Sequence, residues 1–288
     1  MQKSRLSLAL AVLWTVAACG SDSAPPADTP DAAVQPPPGA YVTLIKADWS
    51  LAAGQEGYIC ATHTLTEDMY VGAIRPVAPT GTHHTVVNLG APQGADSPGV
   101  PCGPEFGRFY ASGVGTQELL MPEGVGLIAH KGQQVRINLH LFNASDQTLS
   151  GTSGIEVKLL DPAKVQHEAS INFYGPLSFT VPASGQPYTE HQIEPISAGT
   201  TVFAIFPHMH QTGSHFKAEI VHADSTRTML WDDAYQFESQ EFSAIPHVEV
   251  KAGDTIDTTC TWVNDTGQVI RWGDSSKAEM CFTILMAY

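Results

Sequence analysis

The chain has 288 residues, 43% of them hydrophobic and only 15% charged, with 14 Lys+Arg against 29 Asp+Glu and a formal net charge of −15. A surface this acidic, with its few basic residues scattered, repels phosphate backbones and anionic lipid, which argues against nucleic acid as a partner. The hydrophobic content, with 25 Gly and 20 Pro, fits a folded and turn-rich protein rather than a disordered one.

The first segment reads as an export signal. Lys3 and Arg5 form a short basic start, Leu6 to Val16 an apolar run, and Ala17-Ala18 a small-residue cleavage site, giving a signal peptide over residues 1–18. The run is too short to span a bilayer as a mature helix. Val16-Ala17-Ala18-Cys19-Gly20 resembles the lipobox of bacterial lipoproteins, which implies lipidation at Cys19. Contact with a membrane is then expected only through this N-terminal anchor, in a bacterial cell envelope. Gly20 after the cysteine leans, by resemblance to enterobacterial sorting rules, towards the outer membrane or a periplasm-facing position. Residues 19–39 are rich in Pro, Ala and Asp and cannot build a core, so they are expected to form an extended tether.

From residue 40 onward, short apolar or alternating runs are separated by Gly, Pro, Asn and Asp: Val135 to Phe142, Ile155 to Leu160, Thr201 to Phe206, Lys217 to Val221 and Phe282 to Ala287. No long stretch keeps a helical period. The expected fold is all-β, with two antiparallel, jelly-roll-like β-sandwich domains over 40–162 and 163–288 and a boundary at the turn signal Asp161-Pro162. No internal repeat is evident by eye. Setting Cys19 aside leaves Cys60, Cys102, Cys260 and Cys281, two in each half. In an exported chain, a disulfide in each half is favoured over a thiolate metal site, which would call for tighter Cys-x-x-Cys spacing.

Among 12 histidines, four sit in two close pairs, His83-His84 and His208-Met209-His210. Residues two apart on a strand project to one face, so His208 and His210 can present two imidazoles as a chelating pair. Adjacent His83 and His84 would point to opposite faces of a regular strand and can share a metal only where the backbone twists. The preceding Pro79-Thr80-Gly81-Thr82 supplies residues for such a twist. His140 lies in a strand whose apolar face is Val135, Ile137, Leu139 and Leu141, so it points away from its own core together with Arg136 and Asn138.

The order of these motifs, His-His, a later strand His, His-x-His and a terminal Glu279-Met280-Cys281, resembles the copper type II, ascorbate-dependent monooxygenases of the peptidylglycine α-hydroxylating and dopamine β-monooxygenase type. The resemblance runs from about Tyr58 to Tyr288. It implies a copper-dependent monooxygenase with two mononuclear copper sites facing each other across a cleft between the domains. His83, His84 and His140 would hold the electron-transfer copper. His208, His210 and Met280 would hold the catalytic copper, where oxygen binds and a C–H bond of a small organic substrate is hydroxylated, with ascorbate as the reductant. The resemblance also pairs Cys60 with Cys102 and Cys260 with Cys281. It leaves the domains held together by packing, because partners for the further disulfides of animal members are lacking. The donor chemistry is coherent with copper, since imidazole suits both oxidation states and a thioether favours Cu(I), whereas zinc disfavours Met.

Peptide-amidating members grip a carboxylate with an Arg two residues before His-x-His and with an Asn and a Tyr two and four after the Met. Those positions here hold Phe206, Phe282 and Ile284, which points to a neutral or aromatic substrate. The rival reading is a non-catalytic envelope lipoprotein that binds or delivers copper, for which His and Met serve equally well. His215 lies close enough in sequence to His210 for an outer-shell role, and Asn143-Ala144-Ser145 and Asn264-Asp265-Thr266 read as turns.

Overall fold

The computed structural model of the protein describes residues 37–105, 109–273, 275 and 277–288. The expected signal peptide, Cys19 and nearly all of the tether lie outside the described residues. The tether's last residues are tied down: the Gly39 amide donates to the Leu159 carbonyl at 2.8 Å.

The described residues form β-sheets, with only two short 3-10 turns, Pro162–Lys164 and Phe237–Ser239. The first of these lies at the expected boundary, where the Asp161 side chain caps it by accepting from the Ala163 amide. Before it, one sheet runs Tyr41–Leu51, Leu149–Leu159, Met69–Val77, Val125–Ala129, and a second runs Ser97–Pro101, Glu56–Thr64, Gln134–Phe142, Thr82–Gly90, Tyr110–Ser112. After it come Ser170–Tyr174, Cys281–Ala287, Thr201–Met209, Ser243–Glu249, and then Pro187–Pro195, Thr255–Val263, Gly213–Val221, Arg227–Ala234. With short accessory strands set aside, both halves show the same jelly-roll order. One sheet joins the first, eighth, third and sixth strands, and the other joins the second, seventh, fourth and fifth. The halves are therefore a topological repeat that the sequence does not advertise. Pairing is antiparallel throughout these sheets, except where His167–Glu168 runs parallel to Val125–Ala129.

A local signature of the repeat follows the seventh strand of each half. Asn143 and Asn264 are buried, and their side-chain oxygens accept from the amide and hydroxyl of Ser145 and of Thr266. Their amide nitrogens donate to the carbonyls of Gln147 and of Gln268. Each Asn-x-Ser/Thr triplet is thus a turn clamped by its own side chains, where buried polar groups require partners.

Strand patterns explain which sheet faces what. In Gln134–Phe142, Val135, Ile137, Leu139 and Leu141 are fully buried on one face, while Asn138 and His140 look out on the other. Thr201–Met209 and Cys281–Ala287 do not alternate and are buried almost throughout. Val202, Ile205, Met209 and Leu285 pack into the core of their own half, whereas Phe203, Phe206, Phe282, Ile284 and Met286 join a cluster with Val87, Tyr110 and Leu119 of the first half. A sheet covered on both faces needs continuous apolar runs. Packing thus holds the halves together. Each disulfide closes within its half: Cys60–Cys102 and Cys260–Cys281, with Cα separations of 5.8 and 5.9 Å.

Candidate metal centres

In the first half, Gln134–Phe142 is the central strand of its sheet and carries His140 between Tyr58 and His84, which are its register partners on either side. Thr82 pairs with Leu141 and His84 with His140, so His83 is an extra residue, a β-bulge. The bulge turns two adjacent histidines towards one side, and ring nitrogens of His83, His84 and His140 all lie within 4.8 Å of one another. The Nδ1 atoms of His83 and His140 are 3.2 Å apart. His140 Nε2 lies 2.6 Å from Glu56 Oε1, and a carboxylate can only accept, so the proton sits on Nε2 and Nδ1 offers its lone pair to the cluster. The Tyr58 ring stacks on His140 at 4.6 Å with the planes 9° apart and fixes its tilt.

In the second half, His208 and His210 end the Thr201–Met209 strand on one face, with ring centroids 5.2 Å apart and planes nearly perpendicular at 89°. Both are buried, at 6% and 5% exposure, against the partly exposed first set. The Phe206 and Phe282 rings stack on His208 at 6.0 and 6.5 Å. Burial, and then the neighbouring His210, push the His208 pKa down to about 3 and hold the ring in the neutral form that ligates metal.

Met280 directly precedes Cys281, whose register partner is Met209, and is buried in the same cluster as Phe206 and Phe282. The opposed strands thus bring His208, His210 and Met280 to one face. Glu279, 1% exposed, stitches this corner together. Its carboxylate accepts from the His210 amide at 2.9 Å, the Thr212 amide and hydroxyl at 2.8 Å each, and the Trp262 indole at 2.8 Å. Tyr235 clamps the residue between the histidines, donating to the Met209 carbonyl at 2.6 Å and accepting from its amide at 3.0 Å.

The two histidine sets line one cleft of about 350 Å³, which His83, His84 and His140 enter from the first half and His208 and His210 from the second. The Phe237 ring reaches across it to meet His84 edge-on at 5.7 Å. His215 does not line the cleft; its Nε2 lies 3.1 Å from Asp232 Oδ1.

Residues 182–288 match the family model described as copper type II ascorbate-dependent monooxygenase, C-terminal domain. The matched stretch holds His208, His210, Met280, Cys260 and Cys281; His83, His84 and His140 lie before it. No curated protein matches the chain. Among solved structures, the chain is similar to that of the infectious bursal disease virus Gt strain, at 10% identity over 86% of this chain and 76% of that one, TM-score 0.19. It is also similar to the PBSX exported protein XepA, at 9% identity over 77% of this chain and 86% of that one, TM-score 0.13.

The residue types fit copper on their own chemistry: His83, His84 and His140 gather three imidazoles, His208 and His210 pair two more on the face to which strand register brings Met280, and no thiolate stands outside the disulfides among the described residues. Glu56, Tyr58, Gln240 and Glu279 support these sets. Glu279 stands in the Glu-Met-Cys run and was legible as part of a motif, whereas Glu56, Tyr58 and Gln240 carry no sequence signal and are found only by their placement.

Proposed function

We propose that the protein is a copper-dependent monooxygenase that hydroxylates a C–H bond of a small, uncharged and largely apolar molecule, using O2 and a one-electron donor such as ascorbate. His83, His84 and His140 would hold one copper, and His208, His210 and Met280 the second. The observation that carries this reading is that both histidine sets open into the same cleft, with room for a small molecule between them. A carrier needs one site and no substrate space. The family match over residues 182–288 supports the same assignment for the second half.

When bound, the metals would supply one-electron redox chemistry and oxygen activation. The balance is that one oxygen atom enters the C–H bond and the other leaves as water, with two electrons from the donor and two protons from solvent. The chain's own part is to hold imidazoles with defined ring nitrogens outward, to keep the second pair largely buried, and to position the substrate. Phe206 and Phe237 line the cleft beside His208 and, among the described residues, no Lys or Arg lines it, so a carboxylate substrate would lose its hydration without gaining a cation from them. We further propose that the chain is an envelope lipoprotein anchored through Cys19, which would confine this chemistry to the cell surface or periplasm.

The test is copper stoichiometry together with ascorbate-dependent oxygen uptake over a panel of neutral aromatic, cationic and carboxylated C–H substrates. Two equivalents of copper and hydroxylated product from the neutral members are expected. Full copper loading with no product from any substrate would favour the copper-carrier reading, and efficient turnover of glycine-extended peptides would overturn the substrate class.

A further inference from the structure

We infer that Gln240, held by the short turn Phe237–Ser239, is a positioning residue that sets the tautomer of His208, and that this turn ties the two histidine sets together across the cleft. The inference follows from donor and acceptor logic. Gln240 Nε2 donates to the Phe237 carbonyl at 3.0 Å, and a carbonyl can only accept, which orients the amide. Its Oε1 therefore faces His208 Nδ1 at 2.6 Å. That oxygen also can only accept, so the single proton of the neutral imidazole sits on Nδ1 and the lone pair on Nε2.

His210 reaches the same state by another route, since its Nδ1 lies 3.0 Å from the Ala278 carbonyl. The same ring nitrogen is presented twice. The orienter of His210 is backbone, two residues before Met280, and moves with that strand. The orienter of His208 is a side chain on a separate turn whose Phe237 ring abuts His84. A shift of the turn would disturb His208 and the His84 contact together, while His210 would be spared.

The metal-binding part of this inference rests on the copper reading, but the tautomer does not, and the experiment separates them. Ring-nitrogen NMR on the metal-free, full-length protein reads the His208 tautomer, with the His208 signals assigned from their absence in His208→Asn. The Nδ1-protonated form is expected in wild type, loss of that preference in Gln240→Leu, and its retention in Gln240→Glu, whose carboxylate still accepts. Cu(I) titration of the same proteins should show affinity at the second site falling by about 10-fold to 100-fold in Gln240→Leu and recovering in Gln240→Glu. An Nε2-protonated His208 in wild type would overturn the inference, even if Gln240→Leu fails to fold. An unchanged tautomer in folded Gln240→Leu would do the same. The expected tautomers with no Cu(I) binding at either site would leave the positioning role standing and sink the copper reading instead.

Discussion

The two halves share one strand order yet place their candidate metal ligands on opposite sheets. In the first half the histidines come from the fourth and seventh strands, on the sheet that also carries the Cys60–Cys102 disulfide. In the second half they come from the third strand, with Met280 at the entry to the eighth, on the sheet buried between the halves. The difference is one of environment. The first site is partly exposed, and His140 leans on the solvent-accessible carboxylate of Glu56. The second is buried, and its imidazoles lean on neutral oxygens from Gln240 and Ala278. One scaffold thus yields a partly exposed histidine cluster and a more deeply buried histidine pair on the same cleft.

The strongest way to break this contrast is Glu279→Leu. Removing the acceptor leaves the His210 and Thr212 amides and the Trp262 indole buried without partners, at a cost of roughly 3–5 kcal/mol. Urea unfolding should show a loss of that size, and in the protein that still folds the first metal site should persist. Met280→Ile comes next: hydroxylation should fall by at least about 100-fold, beyond the usual effect of losing an outer partner. One equivalent of copper should remain at the three-histidine site. Full activity in this variant would remove Met280 from the ligand set.

Acid should separate the halves more gently. His208 is depressed to about 3 when folded, against 6.5 for the free side chain, so the unfolded chain binds its proton first as pH falls. Stability from this group is complete above about pH 6.5 and is lost as pH drops towards 3, with a slope of up to about 1.4 kcal/mol per pH unit. Metal-free wild type should show that slope between pH 6 and 4 (a window within ~6.5 to ~3) and His208→Asn should lose it. The smallest effect is expected for Glu56→Gln. It should weaken copper at the first site by about 10-fold and leave the second unchanged, as read by competition with a Cu(I) chelator.

Part of this was legible beforehand. The alternation in Val135 to Leu141 showed which way His140 points, and Pro79 to Thr82 hinted at the twist that the bulge at His83 supplies. The apolar runs Thr201 to Phe206 and Phe282 to Ala287 read as strands, but not as parts of the strands Thr201–Met209 and Cys281–Ala287 covered on both faces, because a run of apolar residues does not say what lies on each side. The topological repeat went unseen because the halves share strand order and one turn device, Asn143 with Gln147 and Asn264 with Gln268, rather than side chains along the strands.

Composition and periodicity determined an all-β chain, and spacing put candidate metal-binding histidines in each half, since those follow from local chemistry. Only the tertiary structure decided that the two sets share one cleft, that one is buried and the other partly exposed, and which ring nitrogen His140, His208 and His210 present. Those properties come from groups far apart in the chain, Glu56 with His140, Gln240 with His208 and Glu279 with His210, whose meeting depends on how the sheets pack.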